Sequence, residues 1–295
     1  MTQARLAASA LEAGHGLAAD SIRLCPVQTT GDRVQDRPLA EIGGKALWTR
    51  ELDRALIEGE IDFAVHSMKD VETVLAPGIV LAAVLPRADA RDRLIGADSL
   101  GAIPAGATVG TSSPRRVAQL LHRRPDLKVT MLRGNVETRL RAVSDGRIAA
   151  TFLAAAGLDR LGLAAGVPLA VEGWLPAASQ GIVGITCRAD DARMRALLAK
   201  ISHAPSMAWL QAERAVLEGL GGSCQTAVAV YATGTQMMSM EAELLSPDGR
   251  DRVTSSITAD LGSETDPRSL GLALARRLLA DATPAILASL EKGAA

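Results

Sequence analysis

The chain has 295 residues, a formal net charge of −1, 48% hydrophobic and 22% charged residues, the balance of a globular protein with room for two or three cores. Near-neutral charge excludes a polycation drawn to nucleic acid or an anionic membrane, and aromatic residues at 2% leave few platforms for stacked bases. No apolar run reaches the ~20 residues of a membrane span, and the amino terminus lacks the regions of a signal peptide.

Residues 2–13 read as a helix, and Ile22 to Gln28 as a strand. A turn at Thr30-Gly31-Asp32 and a polar loop to Gly43-Gly44-Lys45 precede a helix over 46–59, with Trp48, Leu52, Ala55 and Leu56 on one face. Ile61 to Val65 is a short strand ending in His66-Ser67-Met68-Lys69-Asp70, and Ile79 to Leu85 is another. A charged connector, 86–93, leads into a second cycle. There, strands at 107–110, 127–132 and 148–153 alternate with helices starting at Ser113-Pro114, at Val136 and after Leu153. Such alternation predicts parallel α/β sheets; Ile182 to Thr186 is a further strand able to close either one.

After residue 200 the pattern changes. A helix over 207–220 leads into Gly221-Gly222-Ser223-Cys224, and strands follow at 227–233 and 237–245. Ser246-Pro247-Asp248-Gly249 is a hairpin turn, Arg252 to Ile257 returns antiparallel, and helices at 267–281 and 284–292 finish the chain. Strands first and helices after indicate a small α+β domain.

From Ser112 to Arg141 there are eight Lys or Arg against two Asp or Glu, a local charge of +6. Ser113 before Pro114 is a helix N-cap, which would set free backbone N–H groups and Arg115-Arg116 against one anion. Arg133 and Arg139 fall at the next strand end and helix, within reach of the same cleft. The alternative is a solvated helix face. Asp70 ends a strand where a carboxylate suits acid–base work or a developing cation, or simply caps or pairs locally. His66, a lone histidine after an apolar run, reads as structural. Cys25, Cys187 and Cys224 are odd in number, without disulfide or zinc spacing, which points to a reduced cytoplasm and no metal. Cys25 and Cys187 fit small buried hydrophobes; Cys224, on a Gly-Gly loop, fits a covalent attachment point better.

These segments resemble the porphobilinogen deaminase (hydroxymethylbilane synthase) family. The resemblance rests on Ile42-Gly43-Gly44-Lys45, Val65-His66-Ser67-Met68-Lys69-Asp70-Val71, Gly110-Thr111-Ser112-Ser113-Pro114-Arg115-Arg116, Leu132-Arg133-Gly134-Asn135-Val136 with Thr138-Arg139-Leu140, Ala156-Gly157-Leu158 with Arg160-Leu161-Gly162, Leu175-Pro176-Ala177 with Gln180-Gly181, Gly184-Ile185 and Cys187-Arg188, and Gly221-Gly222-Ser223-Cys224. It covers roughly residues 2–292. It implies an α/β fold of two periplasmic-binding-protein-like domains, 1–85 plus 182–199 and 90–177, and a smaller α+β domain, 204–295, with a three-stranded antiparallel sheet.

It further implies a transferase that adds four porphobilinogen units, each losing ammonia, to a dipyrromethane cofactor held by thioether on Cys224, and then releases a linear tetrapyrrole. Asp70 matches the catalytic aspartate, a negative charge for the cationic species that deamination and C–C bond formation create. Arg115, Arg116, Arg133, Arg139 and Arg160 match the binders of acetate and propionate side chains. Lys69 and Ser113 assist, and Lys45 lies in a loop beside the cleft. The implied protein is a cytoplasmic monomer with a small-molecule substrate and no nucleic-acid or membrane partner. Departures from the family pattern are Ala46, Trp48, Glu72, Ser179 (for the usual glycine) and Ala227, with the chain beginning just after the family's first strand. From these the competing reading is an impaired or non-catalytic carboxylate-binding paralogue.

Overall fold

The computed structural model describes residues 1–27, 49–221, 226–262 and 265–294. Gln28, the turn at Thr30-Gly31-Asp32, the loop through Lys45, Ala46, Trp48 and the cysteine Cys224 lie outside the described residues. In chain order the elements are α1 (Thr2–His15), α2 (Arg50–Ile57), β1 (Phe63–Ser67), a 3₁₀ turn (Met68–Asp70), β2 (Ile79–Val84), β3 (Asp92–Ile95), β4 (Thr108–Gly110), α3 (Pro114–Arg123), β5 (Lys128–Thr130), α4 (Val136–Ser144), β6 (Ala150–Ala154) and α5 (Ala155–Arg160). There follow β7 (Val167–Pro168), β8 (Val183–Arg188), α6 (Ala192–Ala199), α7 (Ala204–Gly219), β9 (Val228–Thr233), β10 (Met237–Leu245), β11 (Arg252–Asp260), α8 (Pro267–Ala280) and α9 (Pro284–Ala294). The chain divides into two compact units, Met1–Ala88 with Ile182–Ala208, and Asp89–Gly181 with Trp209–Ala295.

In the first unit the sheet order is β1-β8-β2. β8 is apolar along nearly its whole length and buried, so it takes the centre, and both neighbours pair with it antiparallel. The alternation of strands and helices predicted parallel pairing. β8, however, is reached only after the entire second α/β cycle, so no short helical crossover ties its direction to that of β2. Ala7 and Leu11 of α1 pack on Ala83, Val183, Ile185 and Cys187, with Leu198 of α6 closing the cluster. Leu56, Ala64 and Ile79 form a second cluster, with Leu52 beside it. The strand expected from Ile22 is absent over 22–27; Pro26 has no N–H for a ladder, and of this segment Ile22 packs against the core.

The second unit holds two sheets. The larger has the order β5-β4-β6-β3-β7: β4 is parallel to β5 and β6, while β3 runs antiparallel to β6 and β7. Leu94, Ile103, Val109, Leu120, Phe152 and Trp174 fill its core, with the Phe152 and Trp174 rings stacked at 4.8 Å. β3 departs from the expectation of a connector over 86–93, since Asp92 and Arg93 are its first two residues. The smaller sheet, β11-β10-β9, is wholly antiparallel, as expected for the carboxyl-terminal region. Its Ser246–Gly249 turn packs on α3: His122 Nδ1 lies 2.9 Å from Gly249 O, and Ala118 of α3 clusters with Ala227 and Leu245. The fold is mixed α/β. Among the described residues no helix is long and apolar enough to cross a membrane.

Candidate functional site

Parallel strands β5, β4 and β6 are neighbours, so whatever follows each is delivered to one edge of the sheet, where ligands bind in open α/β sheets. Ser113 and α3 follow β4, Arg133 and α4 follow β5, and α5 follows β6. β3 runs the opposite way, with Asp92 opposite Ala154, the last residue of β6. Its first residue therefore arrives at that same edge.

Ser113 caps α3, its Oγ accepting the Arg116 N–H at 3.4 Å, with Pro114 in the first turn. Asn135 caps α4 by accepting the Thr138 N–H at 2.9 Å. Half-buried Arg139 donates from Nε to Gly134 O at 3.0 Å, and half-buried Arg133 stands just before that turn. Arg160, at the end of α5, donates to Gly181 O at 3.0 Å. Burial lowers its guanidinium pKa, with the charge of Asp159 opposing.

Arg115 and Arg116 are 3% and 5% exposed and turn inward onto Asp92, which is 0% exposed. Arg115 Nη2 donates to Asp92 Oδ2 at 2.9 Å, and Arg116 donates to Oδ1 at 2.7 Å and to Oδ2 at 3.2 Å. Trp174 Nε1 reaches Oδ2 at 2.9 Å and Gln180 Nε2 reaches Oδ1 at 2.8 Å. Burial alone would raise the Asp92 pKa, but the two guanidinium charges, with hydrogen bonds from Arg116 and Trp174, hold it well below the usual carboxylate range. Burial lowers Arg115, and the like charge of Arg116 adds to this against the pull of Asp92; two cations compete for one carboxylate, and guanidinium stays charged. The cluster thus carries a buried net charge of +1, and Arg115 Nε has no acceptor among the described residues. Sequence reasoning placed both guanidinium groups against an external anion; the anion they engage here is Asp92.

Much of the +6 segment is matched in the same way. Arg123 pairs with Glu243, Arg124 with Asp126 and Arg141 with Glu137. Asp92 and Trp174 were not singled out from the sequence, and Gln180 entered only as part of a family motif, with no site role. The available signal was an Asp opening an apolar strand, Asp92-Arg93-Leu94-Ile95, a few tens of residues before an Arg pair.

In the first unit, β1 runs into the 3₁₀ turn that ends in Asp70, which is exposed, with half-buried Lys69 before it. Buried Met68 anchors the turn, its N–H donating to Ile182 O at 3.0 Å. His66 is buried with Nε2 2.8 Å from Thr186 Oγ1, a satisfied structural histidine, and burial lowers its pKa to about 4. Cys187 is buried as expected, but Cys25 is exposed, because its segment forms no strand to cover it. Downstream of Cys224, which is outside the described residues, Ala227 is buried and its carbonyl accepts the Leu245 N–H at 3.0 Å.

Residues 1–196 match the family model described as "Porphobilinogen deaminase, dipyromethane cofactor binding domain", and residues 208–280 match "Porphobilinogen deaminase, C-terminal domain". The chain is 52% identical to a porphobilinogen deaminase of Sphingopyxis alaskensis, over 97% of this chain and 91% of that one. It is 48% identical to that of Paracoccus denitrificans, over 94% and 90%. Among solved structures, a variant of the Bordetella pertussis BvgS VFT2 domain aligns with a TM-score of 0.39 at 15% identity, over 71% of this chain and 82% of that one.

Proposed function

The chain belongs to the porphobilinogen deaminase family, and from that premise we propose that it condenses four porphobilinogen units in turn, releasing ammonia at each addition, and that hydrolysis by one water then frees linear hydroxymethylbilane. The observation that carries this reading is the pair of family matches, which together span nearly the whole chain. The reaction class is group transfer, the substrate is porphobilinogen, and the cofactor is dipyrromethane, joined by thioether to Cys224. When bound, that cofactor supplies the pyrrole on which the chain is extended.

The residues suit a group bearing several carboxylates. A buried guanidinium pair with net positive charge and an Arg115 Nε lacking an acceptor among the described residues fit an anionic ligand. So do the capped starts of α3 and α4 at one sheet edge. Arg133, Arg139 and Arg160 bind acetate and propionate side chains through hydrogen bonds that are strongest when both partners are charged, and Lys69 and Ser113 assist. Arg115 and Arg116 supply charge from their anchorage on Asp92. Asp70 is the catalytic residue: exposed at the end of its turn, it places a negative charge against cationic species and moves a pyrrole N–H proton. The smaller antiparallel sheet with its helices is a third domain, and the protein acts as a cytoplasmic monomer.

Porphobilinogen consumption with matched ammonia release tests the activity. Asp70→Ala is expected to lower kcat by at least about 100-fold, the scale of general acid–base and electrostatic contributions, while part of the variant protein still carries the cofactor mass. Normal turnover by Asp70→Ala would remove the proposed role.

A further inference from the structure

The stretch from Trp174 to Gly181 engages three of the five arginines assigned to the cofactor. Leu175 O accepts from Arg115 Nη1 and from Gln119 Nε2, each at 3.0 Å. Trp174 and Gln180 complete the shell of the carboxylate that holds Arg115 and Arg116, and Gly181 O accepts from Arg160. The stretch is itself held. Ser179 is buried with φ 66°, a left-handed conformation that a non-glycine residue keeps only when its surroundings impose it. Its N–H donates to Glu213 at 2.5 Å, and Glu213 also accepts the Ala232 N–H at 2.8 Å. The Val230 N–H donates to Pro176 O at 3.1 Å. The turn at Ser179 is what allows Gln180 to send its amide both to Ala90 O, at 2.7 Å, and to Asp92.

A core that needed only cohesion would be better served by apolar side chains than by two buried cations sharing one carboxylate. Asp92 instead receives five hydrogen bonds from four side chains, which leaves each guanidinium one orientation. Resting on the functional reading above, we propose that Asp92 is a positioning residue for Arg115 and Arg116, the buried cations that supply charge to the cofactor site, with Gln180 presenting the amide that fixes its orientation. The two buried cations thereby keep one arrangement, and their net positive charge is in place before any carboxylate arrives.

The test uses the full chain as wild type, Asp92→Asn and Gln180→Met. Each is measured for cofactor occupancy by intact mass, for melting temperature, and for KM and kcat of the loaded fraction. For Asp92→Asn, occupancy falls and KM for porphobilinogen rises about 10- to 100-fold, the scale of misplaced binding groups, while kcat per loaded molecule stays within about threefold. Gln180→Met, which leaves both cations and their carboxylate in place, shifts occupancy and KM in the same direction by a smaller factor. A role in stability alone would lower the melting temperature and leave the KM of loaded molecules at the wild-type value; that result overturns the proposal. Where Asp92→Asn does not fold, Gln180→Met decides, a raised KM supporting the proposal and a wild-type KM overturning it. A wild type that neither loads nor consumes porphobilinogen overturns the functional reading, and this one with it.

Discussion

His66 shows how burial alone sets a side chain's chemistry. It is 6% exposed with one hydroxyl partner, and burial lowers its pKa from 6.5 to about 4. The folded state therefore binds the proton less readily than the unfolded chain. Its contribution to stability is complete above pH 6.5 and is lost as pH falls toward 4, roughly 3 kcal/mol in all at about 1.4 kcal/mol per unit. Urea midpoints measured across that range should fall steeply in the wild type and less steeply in His66→Gln, which keeps a polar group for Thr186 but does not titrate there. Equal slopes would show that the histidine is not the source. Asp92 presents the opposite case, since burial opposes its charge and two guanidinium groups overrule the penalty. Neither environment is readable from the residue's neighbours in sequence, because the groups that decide it arrive from 23, 24, 82, 88 and 120 positions away.

Elements with local signals were legible. The Ser113-Pro114 helix start, the helix beginning at Val136 after the Arg133-Gly134-Asn135 turn and the Ser246-Pro247-Asp248-Gly249 hairpin each carry their determinants within four residues. β3 was not legible, because a strand opening with Asp-Arg looks like a connector until the partners of the buried carboxylate are in place. The direction of β8 was hidden for a related reason, as its neighbours are more than a hundred residues earlier. The hairpin also depends on a contact with no sequence signal. At Gly249, φ is 72° and an added Cβ would lie 2.5 Å from Ala118 O and 2.6 Å from His122 N, so both backbone strain and a clash with α3 follow. Gly249→Ala should lose about 3 kcal/mol in a denaturant titration. Gly146→Ala, also at positive φ but facing open space, should lose only about 1 kcal/mol. Equal losses would mean that the hairpin does not depend on its seat on α3.

For the molecule as a whole, the +6 segment within a chain of net charge −1 could be taken for a nucleic-acid surface. Among the described residues Arg115, Arg116, Arg123, Arg124 and Arg141 of this segment pair with carboxylates, Asp92, Glu243, Asp126 and Glu137. Cations already paired in this way contribute less to the counterion-release term that drives such binding. No retention on duplex DNA at about 0.15 M salt is expected, and strong salt-dependent retention would contradict this. The proposed function makes a sharper demand, since it requires a covalently loaded protein. Intact-mass measurement of the purified chain beside Cys224→Ser tests it most directly. The account predicts a wild-type excess equal to two porphobilinogen units less two ammonias, absent from the variant. An unmodified wild-type mass after incubation with porphobilinogen, or the same excess on Cys224→Ser, would contradict it.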